Sequence, residues 1–449
     1  MNRVISKYLF YYPAVLAKGE FIPLYLDAYR KFQFFSEQQI REHQLKKVNR
    51  LLGYVGRTNT YYQRRFAEKE FSVATLNDLR SLPVLTKADL IAHQAELFSS
   101  KGLFAGSKTT GGSTGEPVRL FKSPNALARE RAATWRGYEW AGVEIGDPQA
   151  RFWGVPHSGI GKVKASITDL IANRMRLSAF DITTENLDTY YAALMRFKPA
   201  YLYGYVSVID AFAQHIIDHG LAPIANLKAV ITTSEVLSAS IRRKIATAFQ
   251  VKVFNEYGCG EVGSIAHECE HGRLHLMVDN LIVEIDSPDN TVGEIIVTDL
   301  FNTATPLIRY RLGDFGSLDD ADCPCGRTLP VLKSVHGRAY DMIRTPAGRL
   351  IHPESLIYVF EGLQQKTRAF RQFQAIQTEL DRIVIRLVPT EAMSENLRAL
   401  IVEHLKNSVS EEVEYSIEVC SKLDRERSGK MRLVKSNLRK DVAFENASA

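Results

Sequence analysis

The sequence predicts an α/β protein: a large N-terminal domain of layered α/β subdomains with a β-rich subdomain, followed by a small α+β C-terminal domain. Three changes of pattern along the 449 residues support this prediction. Apolar segments alternate with amphipathic segments up to about residue 254, paired strands follow from about residue 270, and new strand and helix signals begin beyond residue 340. Each pattern predicts a different arrangement of helices and strands that buries apolar side chains.

The first part has the βαβ alternation of a parallel sheet. Short runs rich in Val, Ile, Tyr and Phe are typical of buried parallel strands, and the amphipathic segments between them are typical of covering helices. The predicted strands are Ala200–Tyr203, Ala229–Thr233 and Val251–Phe254, and the predicted helices are Val206–His219 and Ser238–Phe249.

The later parts differ from this alternation. Leu281–Ile285 and Gly293–Thr298 are predicted antiparallel strands joined by a turn. In the last part, Ile383–Val388 is a predicted strand and Ser394–Ser408 a predicted helix.

These signals define the expected domains. We expect an N-terminal domain over residues 1–339, in which the β-rich subdomain occupies about 270–339, and a C-terminal domain over residues 340–449.

The composition indicates a globular protein without a concentrated basic surface. Hydrophobic residues make up 45% and charged residues 24% of the chain, as in ordinary globular proteins. The net charge of +6 arises from 57 basic and 51 acidic residues spread along the sequence. Nucleic-acid-binding proteins concentrate their basic residues in a patch or stripe. We therefore expect an anionic small-molecule substrate and no nucleic-acid partner.

The N-terminal segment has only a weak likeness to a secretion signal. Arg3 and Lys7 precede the apolar run Tyr8–Ala17, but this run is rich in tyrosine and is broken by Pro13. We interpret it as a packed or interfacial helix. No later segment has the roughly 20 apolar residues that a spanning helix needs, so we expect a cytoplasmic protein without a transmembrane segment.

A glycine-, serine- and threonine-rich segment, Thr109–Val118, is the first candidate binding element. Backbone N–H groups in such a turn can surround phosphate oxygens, because glycine has no Cβ to block their approach. Glu116 and Pro117 follow its last glycine, so it lacks the Lys-Ser/Thr pair of a P-loop. A flexible surface loop is the alternative interpretation.

The segment Asn255–Glu261 follows the predicted strand that ends at Phe254. A carboxylate at the end of a parallel strand, here Glu261, can hold Mg²⁺ against a nucleotide. Tyr257 can pack against a purine. The alternative is an ordinary turn after a strand.

Two further segments place charged residues beside a glycine. In Pro306–Asp314, Asp314 can accept hydrogen bonds from ribose hydroxyls, and structural salt bridges are the alternative. In Arg425–Arg432, Lys430 can stabilise negative charge on a phosphoryl or carboxylate group, and a solvated basic turn is the alternative.

In their order and spacing, these four segments resemble the adenylate-forming superfamily of acyl-CoA synthetases, peptide-synthetase adenylation domains and luciferases. The likeness is greatest to the phenylacetate–CoA ligase and coenzyme F390 synthetase-like branch, which includes CapK-type proteins of capsule gene clusters. It extends from about Leu82 to Arg432. The resemblance implies that the chain uses MgATP to convert a carboxylic acid into an acyl-adenylate and pyrophosphate. It also implies that the C-terminal domain is a mobile lid.

The resemblance assigns roles to matching positions. Glu261 would bind Mg²⁺ and Lys430 would be the catalytic lysine of the lid. The expected nucleotide-binding residues are Thr110, Gly111, Gly112, Ser113, Thr114 and Gly115 in the phosphate loop, Ser234 and Glu235 beside the adenine, Tyr257, Gly258, Asp314 at the ribose, and Arg338 before the hinge.

The acid that would be activated is less defined. Trp153, His157, Tyr203 and Tyr205 lie in segments that line the acyl pocket of relatives, so an aryl or medium-sized acid is expected. Core packing is the alternative role for each of these side chains.

Three different reactions could form the second half of the catalytic cycle. Transfer to CoA is the family's usual reaction. The alternatives are acyl transfer to an amine, such as an amino sugar in polysaccharide biosynthesis, and adenylyl transfer to a cofactor hydroxyl. Gly260 and Tyr340 depart from the family's usual residues before the glutamate and at the hinge. A homodimer is an alternative to a monomer.

Five cysteines are too few for a disulfide scaffold, but three of them are placed like metal ligands. Three thiolates and an imidazole make a closed, structural zinc site, and members of this branch carry a similar one. The expected ligands are Cys269, His275, Cys323 and Cys325. His267 or His271 could replace His275, and reduced cysteines without a metal are the alternative.

Overall fold

The computed structural model describes residues 1–66, 71–99, 106–109, 119–153, 159–179, 182–287, 292–338, 343–347, 350–351, 353–424 and 431–438. These residues form two compact units. The first contains Met1–Leu312 and Gly316–Ser334, and the second contains Gly313–Phe315 with the described residues from Val335 onward. The predicted boundary between residues 339 and 340 falls on residues outside the described ranges.

The first unit contains most of the helices. They are α1 (Arg3–Ile5), a π-helical turn (Ser6–Tyr11), α2 (Tyr12–Leu16), α3 (Ile22–Phe32), α4 (Glu37–Thr58), α5 (Thr60–Arg65), a 3₁₀ helix (Asn77–Ser81), α6 (Lys87–Ala92), α7 (Gln94–Leu97), α8 (Pro124–Trp140), α9 (Gly159–Ile171), α10 (Thr184–Phe197), α11 (Val206–Asp218) and α12 (Ala239–Phe249).

Side-chain caps fix where several helices begin. Ser36 accepts a hydrogen bond from the backbone N–H of Gln39 at the start of α4, and the Gln39 side chain accepts one from the N–H of Ser36. Thr86 and Asp89 form the same reciprocal pair at α6. Such a capping box satisfies two N–H groups that the first helical turn leaves unpaired.

Two groups of strands are present up to residue 338. A hairpin consists of β1 (Gly106–Thr109) and β2 (Arg119–Lys122). The main sheet consists of β3 (Gln149–Trp153), β4 (Arg174–Ser178), β5 (Tyr201–Tyr205), β6 (Ala229–Thr233), β7 (Lys252–Cys259), β8 (Gly263–Glu268), β9 (Leu274–Leu276), β10 (Leu281–Asp286), β11 (Gly293–Asp299), β12 (Tyr310–Asp319) and β13 (Val331–Arg338).

The main sheet combines a parallel and an antiparallel part. Its strand order is β10-β11-β12-β13-β9-β8-β7-β6-β5-β3-β4. Strands β4, β3, β5, β6 and β7 are mutually parallel, whereas β7 to β9 and the β10–β11 pair are antiparallel. The predicted parallel and antiparallel strands are both confirmed. The strands of the β-rich region continue the parallel sheet through hydrogen bonds.

Alternating residues of the parallel strands face two different helix layers. On one face, Phe152, Leu202 and Val230 pack with Phe212 of α11 and Ile245 of α12. This alternation explains why the strands are apolar throughout: both faces are covered. On the other face, the side chains from the sheet that pack against Tyr138 of α8 are Tyr201, Tyr203, Ile231 and Phe254.

The second unit is a small α+β layer. Its strands and helices are β14 (Ile343–Arg344), β15 (Leu350–Ile351), α13 (Pro353–Thr367), β16 (Phe370–Glu379), β17 (Arg382–Pro389), α14 (Glu395–Ser408), β18 (Glu414–Val419) and β19 (Val434–Ser436). The sheet order is β18-β17-β16-β19. Apolar residues of both helices and of this sheet form one core. The predicted strand and helix of this region, and the fold class as a whole, are confirmed.

Within the described ranges, the helices either are too short or carry too many polar residues to cross a lipid bilayer.

Helix α8 approaches strand β8 very closely at one glycine. A Cβ on Gly137 would lie 2.3 Å from the Cγ of His267, whose ring is buried. An added methyl group would therefore displace α8 from the sheet or push the imidazole out of its packed position.

We predict that Gly137→Ala destabilises the first unit by about 1–3 kcal/mol, as overpacked cores do. Gly362→Ala is the matched control, because Gly362 also lies in a helix and its Cβ would meet no atom within 4 Å. That variant should gain about 0.5–1 kcal/mol of helix propensity. Calorimetric unfolding of both full-length variants measures the two effects, and a Gly137→Ala protein as stable as the wild type would contradict this packing.

Candidate active site

The carboxyl ends of the parallel strands bring several of the predicted site residues together at one sheet edge. Strands β3, β5, β6 and β7 end at Trp153, Tyr205, Thr233 and Cys259. In open α/β sheets, ligands bind in the crevice outside these strand ends. This edge is therefore the candidate site.

Aromatic side chains and one arginine line the β3–β5 side of this edge. The Trp153 ring centroid lies 5.8 Å from that of Tyr203 and 4.4 Å from that of Tyr205. The Arg151 guanidinium stacks 4.3 Å above the Trp153 ring and 4.9 Å from the Tyr203 ring. The structure thus brings together three of the four predicted acyl-pocket residues, and His157 lies outside the described residues.

Arg151 has no carboxylate partner within 4 Å in the described part of the chain. Its Nε atom is buried and finds no hydrogen-bond acceptor there. Stacking on aromatic faces compensates part of the cost of burying this cation. The Arg151 guanidinium can therefore still donate hydrogen bonds to an anionic or polar group of a bound ligand.

A buried carboxylate, Glu256, occupies the same face of the sheet. It accepts hydrogen bonds from the hydroxyls of Tyr138, at 3.2 Å, and of Ser264. Burial, reinforced by the Glu256 charge, raises the pKa of Tyr203 and of Tyr138. Burial also lowers the pKa of His267, whose Nε2 lies 3.8 Å from Glu256. The hydroxyls of Tyr138 and Tyr203 therefore stay protonated and act as hydrogen-bond donors.

Glu261 and the segment Pro306–Asp314 meet through one hydrogen bond. The hydroxyl of Tyr310 donates to Oε1 of Glu261 over 3.4 Å, and both side chains are buried. Two segments that are about fifty residues apart in sequence are therefore in contact.

The arginines of this segment are structural. Arg309 is buried, pairs with Glu284 at 3.1 Å and donates to the carbonyl oxygen of Arg80 at 2.7 Å. Arg311 pairs with Glu294 at 2.8 Å. For these two side chains the salt-bridge interpretation is correct. Asp314 lies within β12, and its role at a ribose stays a prediction.

The glycine-rich segment lies between two strands that pair with each other. Thr109 pairs with Arg119 at the end of the β1–β2 hairpin, so residues 110–118 connect the strands. Thr110, Gly111, Gly112, Ser113, Thr114 and Gly115 lie outside the described residues. Their contact with phosphate therefore stays a prediction.

The hairpin is tied to the chain just before Pro306. The N–H of Phe121 donates to Oγ1 of Thr305 over 3.1 Å, and Nδ2 of Asn302 donates to the carbonyl oxygen of Phe121 over 3.0 Å. The hairpin is therefore anchored to Asn302 and Thr305, a few residues before Tyr310 in the sequence.

A buried lysine at the end of β2 adds a second anchor. Lys122 pairs with Glu130 of α8 at 2.7 Å and with Asp299 at 3.6 Å. Although burial alone would lower the pKa of Lys122, these two carboxylates hold it above its usual value. The ion pair fixes the hairpin to α8 and to the end of β11.

The residues predicted beside the adenine follow β6 directly. Ser234 has a left-handed backbone with φ of 69°, which is unusual for a residue other than glycine and is often found at functional sites. The Glu235 carboxylate accepts hydrogen bonds from the N–H of Ser207, at 2.6 Å, and from its hydroxyl, at 3.0 Å. Glu235 thus stabilises the start of α11, and an additional role at adenine stays a prediction.

Three other predicted residues are located by their strands. Tyr257 is half-buried in β7. A Cβ on Gly258 would lie 2.5 Å from the carbonyl oxygen of Gly263, so the β7–β8 turn requires glycine there. Arg338 ends β13, and Lys430 lies outside the described residues.

Three cysteines and one histidine form a compact cluster away from the strand ends. The potential ligand atoms of Cys269, His275, Cys323 and Cys325 all lie within 4.8 Å of one another. The Sγ atoms of Cys269 and Cys323 are 3.6 Å apart, and Sγ of Cys325 is 3.3 Å from Nε2 of His275. His275, rather than His267, is the histidine that completes this group.

The surroundings of the cluster orient its ligands. Nδ1 of His275 lies 2.8 Å from the carbonyl oxygen of Leu329, which leaves Nε2 free to face the thiols. Burial raises the pKa of Cys269 and raises that of Cys323 to about 12. Although burial opposes it, hydrogen bonds from Arg327 lower the pKa of Cys325. The site therefore favours thiolates only where a positive charge is close.

Sequence reasoning missed several residues of this site. Arg151 lay in no motif, and Glu256 lay inside Asn255–Glu261 without an assigned role. The signal for both is only that a charged residue interrupts an apolar strand. Tyr310 lay inside a recognised segment but had no assigned role. Lys122 and Glu130 resembled ordinary surface charges, because sequence does not reveal which charges are buried.

Comparisons with known proteins agree with this geometry. The family model of the CapK C-terminal domain matches residues 343–437. Protein CapK of Staphylococcus aureus is 24% identical, with 91% of this chain and 96% of the relative covered. The phenylacetate–coenzyme A ligase of Thermus thermophilus is 24% identical, with 68% of this chain and 72% of the relative covered.

A solved structure has a similar fold. The crystal structure of 2-hydroxyisobutyryl-CoA ligase in the postadenylation state, in complex with R3-HIB-AMP, is 20% identical to this chain and covers 91% of both chains with a TM-score of 0.72. At this identity the likeness concerns the fold.

The main sheet, with the candidate site at its strand ends, has the fold of this CoA ligase structure. Residues 343–437 match the CapK C-terminal domain, and the chain is similar to CapK over 91% of its length and to phenylacetate–coenzyme A ligase over 68%. These relatives are of the branch that the four motifs resemble.

Proposed function

We propose that this protein activates a carboxylic acid with ATP and transfers the resulting acyl group to CoA. The observation that supports this most directly is the contact of Tyr310 with Glu261. It joins two segments that are predicted to bind nucleotide, next to the end of β7. The named activities of the phenylacetate–coenzyme A ligase relatives support the same reaction.

In the first step, an oxygen of the substrate carboxylate attacks the α-phosphorus of ATP. The bond from that phosphorus to the bridging oxygen of the β-phosphate breaks, and pyrophosphate leaves. Both reactants are anionic, so catalysis consists mainly of positioning and charge neutralisation. Residues 110–115 would hold phosphate oxygens through backbone N–H groups, and Tyr257 would pack against the adenine.

Glu261 is the expected ligand for Mg²⁺. Its carboxylate is buried at a strand end, and its hydrogen bond to Tyr310 is long at 3.4 Å, so it retains capacity to bind a cation. Carboxylate oxygen is a preferred ligand for this ion. When bound, Mg²⁺ would neutralise charge on the triphosphate.

In the second step, the CoA thiol attacks the acyl carbonyl carbon. The carbon–oxygen bond to AMP breaks, AMP leaves, and the thiol proton passes to solvent. Transfer to an amine would follow the same course with a nitrogen nucleophile. Product analysis with and without CoA separates these acceptors.

We predict that Lys430→Ala slows acid-dependent pyrophosphate exchange by about 100-fold or more, since one positioned charge on the reacting group contributes this much. ATP binding should change little. Thioester formation from supplied acyl-adenylate should also persist, because that step does not need the lysine.

Lys422→Ala is the control, since Lys422 is an exposed lysine on the same unit. Wild-type exchange by Lys430→Ala would refute the role of this lysine. Absence of acid-dependent exchange in the wild type, across a broad panel of acids, would refute the proposed function itself.

The acid is proposed to carry a second polar group at the end away from its carboxylate. Trp153 and Tyr203 offer aromatic surface for an aryl or medium-sized acid, and Arg151 stacks on both rings without a carboxylate partner in the described residues. A purely apolar acid would offer no hydrogen-bond acceptor to the buried Nε atom of Arg151, which has none among the described residues, and leaving it unsatisfied is costly.

Arg151→Leu should therefore change substrate preference. We predict that the wild type prefers an aryl acid with a distal hydroxyl or carboxylate over the unsubstituted acid of similar size. In the variant, kcat/KM for the polar acid should fall roughly 10- to 100-fold, the range expected for a charged hydrogen bond. The unsubstituted acid should lose little. Equal losses for both acids would contradict this role.

The cysteine–histidine cluster is proposed to hold a structural Zn²⁺. Tetrahedral zinc with Zn–S bonds of about 2.3 Å places neighbouring sulfurs about 3.8 Å apart. The observed separations of 3.6 Å between two sulfurs and 3.3 Å between sulfur and nitrogen fit this geometry. With four protein ligands no position is left for a substrate, so the ion would join β9 to the loop before β13 without catalytic chemistry.

We predict one zinc ion per chain by elemental analysis of the purified protein. Cys323→Ser should lose the ion and destabilise the first unit by roughly 4 kcal/mol, as loss of a structural metal does. Cys420→Ser is the control, since Cys420 lies outside the cluster. Full stability of metal-free Cys323→Ser protein would contradict the proposal.

A further inference from the structure

Exposed apolar side chains are concentrated at one place on the first unit. The N-terminal helical segment, Arg3–Leu16, and helix α9 lie against each other. Their outward side chains form what we call the apolar platform: Val4, Tyr8 and Leu9 from the first, and Val163, Ile167 and Leu170 from α9. Leu9, Leu170 and Val163 are 68%, 63% and 61% exposed, values that a core-facing residue never has.

The platform is a fixed part of the fold. The hydroxyl of Tyr11 accepts a hydrogen bond from Nε1 of Trp135 over 2.8 Å, and Asn173 donates to the carbonyl oxygen of Met1 over 3.0 Å. A Cβ on Gly146 would lie 2.4 Å from the carbonyl oxygen of Arg3, so the backbone is closely packed. The inner side is thus anchored while the outer side presents apolar groups to solvent.

The spacing on α9 is that of a single stripe. Val163, Ile167 and Leu170 are separated by four and three residues, which places them on one side of a helix. Clusters of exposed apolar side chains on this scale mark interaction sites.

The charge around the platform favours a lipid surface over a second copy of this chain as the partner that covers it. Residues 1–18 contain Arg3, Lys7 and Lys18 and no acidic residue. Arg3 pairs with Glu144 at 2.6 Å, so Lys7 and Lys18 supply most of the net positive charge there. A two-fold contact between copies would bring these like charges close together. An anionic lipid surface would instead attract them.

The aromatic composition favours the same occupant. Tyr8 is exposed, and Tyr11 and Tyr12 follow close behind it. Lys7 lies 5.2 Å from the Tyr8 ring and 5.6 Å from the Tyr12 ring. Tyrosine and lysine side chains of this kind lie at the boundary between lipid headgroups and acyl chains.

We propose that the apolar platform docks this protein on an anionic lipid bilayer. The helices lie in the plane of the interface, with apolar groups among the upper acyl chains and basic groups at the phosphates. This inference is independent of the proposed reaction.

The test is vesicle flotation of the full-length protein. We use vesicles of phosphatidylcholine mixed with phosphatidylglycerol, and vesicles of phosphatidylcholine alone. The wild type should float with the mixed vesicles, less with the neutral ones, and less at high salt, because salt screens the basic groups. No flotation of the wild type would overturn the proposal.

Two double variants make the test specific. Leu9→Glu with Leu170→Glu should reduce partition into mixed vesicles at least tenfold while leaving acid-dependent pyrophosphate exchange intact. The control, Leu380→Glu with Val419→Glu, alters two exposed apolar side chains on the second unit, which are 45% and 48% exposed, and should float like the wild type. Equal losses in both would overturn the proposal. Light scattering provides a second check. The proposal would also be overturned if the wild type were a dimer that did not bind vesicles and that only the platform substitutions dissociated.

Discussion

The contact between Tyr310 and Glu261 is the constraint on which the rest of the candidate site depends. It forms only because β12 and β7 belong to one hydrogen-bonded sheet. The same sheet carries the strand ends at Trp153 and Tyr205, and the β1–β2 hairpin is fastened beside Tyr310 through Asn302 and Thr305. Segments separated by up to two hundred residues are thereby held at one edge.

The parts that sequence predicted are those governed by short-range rules. Strands β5, β6 and β7 and helices α11 and α12 follow apolar periodicity. Thr86 begins α6 because a capping box is a local pattern. The four metal-type ligands were predicted from residue type, spacing and the family resemblance. The structure places His275, and not the His267 paired with it on the neighbouring strand, in the cluster.

The parts that sequence did not predict depend on long-range burial. Glu256 precedes Tyr257 in a motif, yet its hydrogen bonds come from α8 and β8. The sequence left open whether Arg309 forms a salt bridge, and the structure pairs it with Glu284 and with backbone carbonyl oxygens. Arg151 resembles a surface arginine until the stacked rings around it are known. Only the folded sheet shows which charged side chains have a hydrogen-bond or ion-pair partner.

The most direct test of the account is a crystal structure of this protein soaked with ATP and a competent acid. The account predicts adenosine phosphate at the strand ends, with the adenine against Tyr257 and the phosphates between residues 110–115 and Glu261. Nucleotide bound anywhere else on the first unit, with the edge at Glu261 empty, would contradict it.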